Sequence, residues 1–180
     1  MVDDKLKTTN PILYRKQYIE DFASQAGMTP IEKAAFMARI DHETEGFKYM
    51  VEIGNAAYFA QYDTMKQLGN TLPGDGFKFR GRGYVQLTGR WNYTRYAPFV
   101  GADIVNYPDL AAEESVAARI AITFWNKTII PGGYTIAQAA QAGDIDSVVR
   151  GVNGGTNGLA QTKALFEVYK KKYLPPVSNS

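Results

Sequence analysis

Three segments of this 180-residue chain concentrate side chains able to do chemistry. The first is Asp41-His42-Glu43-Thr44-Glu45, at the end of an apolar, helix-spaced run. Acids near a helix C-terminus face the wrong end of the macrodipole, at a cost of about 0.3–1 kcal/mol each when exposed. One reading is a solvated last turn. The other is a carboxyl kept partly protonated by burial and neighbouring acids, which is the state a general acid occupies near neutral pH. His-Glu also opens the HExxH pattern of zinc proteases, but that pattern needs a second histidine, and His42 is the only one in the chain.

Glu52 is the second candidate, nine residues beyond Glu43. At roughly 100° per residue, that spacing puts the two side chains on opposite faces of one continuous helix. Gly46 allows a bend between them. An inverting glycosidase needs its acid and base roughly 6.5–9.5 Å apart, with the attacking water between them. A plain surface glutamate near a helix cap is the competing reading, and spacing alone leaves both open.

The third segment runs from Gly74 to Tyr93 and contains FKFRGRGYVQLTGRWNY. Aromatics interleaved with Arg, Gln, Thr and Asn suit sugar rings, whose C–H faces stack while their hydroxyls take hydrogen bonds. The same mixture could line a single-stranded nucleic-acid groove, although a net charge of +2 argues against that partner. The pattern is neither GxGxxG nor a P-loop. A structural hairpin with glycine turns is the third possibility.

These residues need elements to position them. Apolar residues recur at helical spacing from Pro11 to about Gly27. Thr29-Pro30-Ile31-Glu32 then reads as a capping box opening a helix that reaches His42 or Thr44 and buries Ile31, Ala34, Ala35 and Ala38. Asn55 caps a helix predicted from Ala56 to about Leu68. From Thr71 to Gly89, alternation and glycines predict short strands or a hairpin. One helix is predicted from Pro108 through Asn126. Thr135 and Asp144 read as caps of two short helices. A last helix is predicted from Leu159 to about Tyr173, with Pro175-Pro176 ending the ordered chain. The expected class is mainly α, with two helical lobes and one small glycine-rich β-hairpin.

Composition narrows the chemistry. With 45% hydrophobic and 21% charged residues, the chain can bury a core and is not a disordered polymer. It contains no cysteine, which removes disulfides, thiolate zinc sites and cysteine nucleophiles. A pI near 8.6 is compatible with an anionic polymer such as a cell wall. The start, MVDDKLKTTNP, lacks an apolar core and does not read as a secretory signal. No apolar stretch reaches membrane-spanning length.

His42-Glu43-Thr44, Glu52, FKFRGRGYVQLTGRWNY, Pro108-Asp109-Leu110-Ala111 and Val152-Asn153-Gly154-Gly155 follow one another in an order that resembles family 19 glycoside hydrolases. More narrowly, it resembles that group's compact bacteriophage endolysins, which are similar to plant-type chitinases but shorter. The likeness runs over about residues 30–170. It implies a lysozyme-like α+β fold with a cleft between two lobes, in a single catalytic domain covering 1–180 without a separate wall-binding domain. It implies Glu43 as general acid, Glu52 as the base activating water, and Thr88 as the hydroxyl that helps hold that water. It implies His42, Tyr84, Gln86 and Asn153 along the sugar site. No metal or other cofactor is implied.

The expected substrate is peptidoglycan glycan strands, cut at the β-1,4 link between N-acetylmuramic acid and N-acetylglucosamine by a muramidase (lysozyme) activity. A chitinase acting on N-acetylglucosamine polymers is the alternative. The expected protein is a monomer without nucleic-acid or membrane partners, accumulating in a host bacterial cytoplasm until a holin releases it to the wall. Plant-type relatives carry disulfides and longer loops that this chain lacks. Lys163 stands where many relatives have arginine.

Overall fold

A computed structural model describes residues 2–174, of which helix makes up 62% and strand 4%, so the class is mainly α as expected. The break predicted at Pro175-Pro176 falls outside the described residues. No described helix is long and apolar enough to cross a membrane. The chain divides into two units, one comprising residues before Lys48 together with those from Trp125 onward, the other Lys48–Phe124.

The first unit begins with α1 (Lys5–Thr9), a short helix the sequence reading did not foresee, and α2 (Pro11–Gln25), capped by Asn10, whose side chain accepts from Leu13 N at 3.0 Å. Helix α3 (Pro30–Glu43) starts as predicted, with the Thr29 hydroxyl accepting from Glu32 N at 3.3 Å. The Glu32 carboxylate does not close the box. It accepts from Gln141 at 3.0 Å and ties α3 to α8 (Ile136–Gln141). Every residue from Ala34 to Ile40 is buried, as befits a helix enclosed on all sides. Burying Phe36, Met37 and Ile40 contributes about 1.5–3 kcal/mol each. Phe36 meets Trp125 edge-on, with ring centroids 5.0 Å apart.

Thr135 caps α8 with a complete capping box, and Asp144 caps α9 (Ile145–Asn153). Helix α10 (Leu159–Tyr173) has the predicted limits and packs along α3. Strands β1 (Ile129–Ile130) and β2 (Tyr134–Thr135) pair antiparallel, with Ile129 opposite Thr135, around Gly132-Gly133.

The second unit departs further from expectation. The helix predicted from Ala56 to Leu68 is α4 (Ala56–Phe59) followed by 3₁₀ turns at Ala60–Tyr62 and Lys66–Leu68. Local side chains interrupt it. Asn70 donates to Tyr62 O at 2.9 Å, while the Asp63 carboxylate accepts from Gly74 N and Gly76 N at 2.9 and 2.8 Å. Beyond it lie α5 (Asp75–Lys78), α6 (Arg90–Val100), a 3₁₀ segment at Pro108–Ala112, and α7 (Glu114–Lys127), which belongs to this unit up to Phe124. The single helix predicted from Pro108 is thus split, and α6 was not foreseen.

The glycine-rich block forms no ladder, only the isolated bridges Val51–Arg82 and Arg82–Leu87. The hairpin expected there lies at 129–135 instead. Phe79, Leu87, Tyr93, Tyr96, Val100 and Ile120 build this unit's core, with Phe79 and Tyr93 rings 5.2 Å apart.

Candidate active site

Glu43 is the last residue of α3, and the turn after it is tightly held. Gly46 N donates to Asp41 O at 2.8 Å and Glu45 N to His42 O at 3.3 Å, the two bonds of a Schellman ending. Glu45, Gly46 and Phe47 all have left-handed backbone, with φ of 48°, 76° and 67°. For the two non-glycine residues this conformation costs about 1–2 kcal/mol each. Thr44 offsets it, because its hydroxyl donates to Ile40 O at 2.7 Å and accepts from Phe47 N at 2.9 Å. Gly46 therefore does turn the chain sharply after Glu43.

The Glu43 carboxylate pairs with the Arg39 guanidinium one turn earlier. Arg39 is 2% exposed and the Glu43 side chain 16%. Burial lowers the guanidinium to about 10, leaving it cationic at neutral pH. Burial first, then the charge of Arg39, pushes the His42 imidazole below its ordinary value, while Asp41 pulls it the other way. Asp41 accepts from the Tyr169 hydroxyl on α10 at 2.7 Å. The loop from Asn153 to Gly158 closes against His42: Asn153 donates to Asn157 O at 2.9 Å, and a Cβ on Gly158 would run into the imidazole. The first unit thus brings His42, Glu43 and the Asn153 loop together.

In the second unit, Glu52 lies on an extended segment joined to the glycine block. Glu52 N donates to Gly81 O and Gly83 N to Met50 O, each at 2.8 Å. Gly81 N in turn donates to the Glu52 carboxylate at 3.0 Å. A Cβ at Gly81 would stand 2.8 Å from Gln86 Oε1 and 3.2 Å from Glu52 Oε2, so both side chains close over that Cα. Gln86 has a φ of 49°, and its amide donates to Gly83 O at 3.0 Å. The Thr88 hydroxyl donates to Gln86 O at 2.8 Å, which leaves its oxygen free to accept. Tyr84 is 0% exposed and presents no surface to a sugar.

Arg82 anchors this arrangement. It is 2% exposed and donates to Asp109 at 2.7 Å, to Lys78 O at 2.8 Å and to the Tyr93 hydroxyl at 2.9 Å. Asp109 is 87% exposed, so solvent screens the ion pair and the bonds inside the fold do most of the holding.

Sequence reasoning missed Arg39, Tyr58 and Tyr62. The first had a signal, its four-residue spacing from Glu43. Tyr62 hydrogen-bonds Tyr58 at 3.4 Å and lies near the charge of Glu52. The bond with Tyr58, burial and the negative charge of Glu52 raise its hydroxyl to about 12, so it stays a neutral donor. Among the described residues no three His, Asp or Glu side chains gather as a metal site would require.

Comparison with known proteins identifies the family. The description of glycoside hydrolase family 19, chitinase class I, matches residues 17–136. A glycosyl hydrolase family 19 domain-containing protein of Haemophilus influenzae is 24% identical, the match covering 76% of this chain and 77% of that protein. An endochitinase of Arabidopsis thaliana is 32% identical over 76% of this chain but only 44% of its own length. Among solved structures, a bacterial family 19 chitinase aligns with a TM-score of 0.68 at 28% identity, over 87% of this chain and 83% of that one. Chitinase C from Streptomyces griseus aligns with a TM-score of 0.69 at 23% identity, over 86% and 82%, a likeness of fold. The chain belongs to glycoside hydrolase family 19.

Proposed function

We propose that this family 19 glycosidase is a peptidoglycan-degrading endolysin, a single catalytic domain that hydrolyses the β-1,4 bond between N-acetylmuramic acid and N-acetylglucosamine. The observation that carries the two-carboxylate chemistry is the contrast in how the two glutamates are held, Glu43 against a buried cation and Glu52 against a backbone amide. Glu43 gives a proton to the glycosidic oxygen as the C–O bond breaks, a proton it must take up beside the Arg39 cation, which favours the ionised carboxyl. Glu52 takes a proton from the water that attacks the anomeric carbon from the other side, and the configuration inverts. Thr88 accepts a hydrogen bond from that water, and Gln86 stands beside Glu52. His42 and the Asn153 loop contact the sugar near the acid.

The pI near 8.6 is compatible with an anionic wall polymer. A cysteine-free chain loses nothing by folding in a reducing host cytoplasm, from which a holin would release it as a monomer. Chitin is the second reading, favoured by the relatives named endochitinases. Mass spectrometry of products from purified peptidoglycan and from chitin oligomers separates the two. Muropeptide fragments ending in reducing N-acetylmuramic acid are expected, and cleavage of chitin oligomers alone would establish the chitinase. Glu43→Gln should abolish lysis while preserving the folded far-UV spectrum; a fully active variant would remove Glu43 from the mechanism.

A further inference from the structure

We propose that Arg39 is the positioning residue of Glu43, fixed in turn by Thr162 on α10, so that the acid's orientation is set from two helices. This rests on the reading of Glu43 as the acid. Four-residue spacing on a helix brings two side chains onto one face, and on an exposed surface such a pair contributes little. Here the surroundings differ. Arg39 lies in the run from Ala34 to Ile40 that is otherwise apolar and wholly buried. A guanidinium costs several kcal/mol to bring into such a place. Neither its Nε nor its Nη2 makes a hydrogen bond among the described residues, so the side chain is poorly repaid as a packing element.

Its remaining contacts point one way. Nη1 donates to Thr162 Oγ1 at 3.2 Å, across 123 residues of sequence, and Thr162 is itself 0% exposed. Nη2 faces the Glu43 carboxylate. A planar fork held at one end by a buried hydroxyl can fix a glutamate that would otherwise rotate about three bonds. Proton donation leaves Glu43 as a carboxylate, and a cation already in place stabilises that product without reorganising. Lysine at this position would keep the charge but not the fork.

The test uses the whole protein, with kcat and KM on a soluble oligosaccharide and thermal unfolding for each variant. Arg39→Gln should lower kcat about 100-fold with KM nearly unchanged, and Arg39→Lys should recover about tenfold of that loss. Thr162→Val, which keeps the charge and removes the anchor, should lower kcat about three- to tenfold at unchanged KM. A folded Arg39→Gln with wild-type kcat overturns the assignment. So do equal losses in the Lys and Gln variants that follow lost thermal stability. If Arg39→Gln does not fold, Thr162→Val decides: wild-type kcat overturns the proposal, and a loss in kcat alone supports it. An inactive Glu43→Gln beside an active Arg39→Gln removes only the role of Arg39. An active Glu43→Gln removes the acid assignment and this role with it.

Discussion

Glu43 closes a regular helix buried from Ala34 to Ile40 and faces a guanidinium, whereas Glu52 lies on an irregular segment and accepts from the amide of a glycine. The first is held by charge and helix geometry. The second depends on how closely one backbone approaches another. Disturbing the first therefore takes a change at Arg39 or at its anchor Thr162, while a single added carbon is enough for the second. This contrast parallels the two roles: an acid needs a partner for the charge it acquires, and a base needs an open, hydrogen-bonded carboxylate from the start.

The largest test of the contrast is Glu52→Gln, which should lower turnover about 10²–10⁴-fold, the usual worth of a general base. Unchanged turnover of peptidoglycan would pass the base role to another carboxylate. Next is Gly81→Ala. Its methyl would press on Glu52 Oε2 and Gln86 Oε1, and displacing them should cost on the order of 10- to 100-fold in kcat. A variant with native kcat would show that backbone approach does not hold Glu52. The smallest effect concerns the acid's own helix. His42 protonates in the fold at a lower pH than its ordinary 6.5, through burial first and then Arg39. As pH falls, the unfolded chain binds that proton first. The stability owed to neutral His42 is thus full above about pH 6.5 and lost as pH falls through the folded value. Melting temperature should drop more steeply from pH 7 to about 5 in the parent than in His42→Gln, and parallel slopes would contradict this.

Legibility in the sequence follows the same division. Helix α10 and the start of α3 were readable because a cap, a proline and an apolar period agree locally. Helix α6 was hidden by Pro98 in its interior, although Gly89 and Gly101 mark its ends. The alternation from Phe77 to Thr88 imitates strand period, but left-handed backbone at Gly83, Gln86 and Gly89 breaks the pleat that alternation presumes. At the site, Glu43 and Glu52 were visible as candidates by residue type. The spacing of Arg39 was visible as well. Its anchor was not, because nothing local links position 39 to position 162. The resemblance implies Tyr84 along the sugar site, whereas in the fold its side chain is fully buried.

The first unit is interrupted in sequence by the second, which has a consequence for synthesis. Lys48–Phe124 leaves the ribosome as one contiguous stretch and can collapse early, whereas α3 waits for α10. Contacts of such long sequence separation form late and slowly. A nascent or truncated chain ending before Thr162 would already carry both glutamates, yet lack the residue that anchors Arg39. Translation order thereby withholds the partner of Arg39 until α10 has been made.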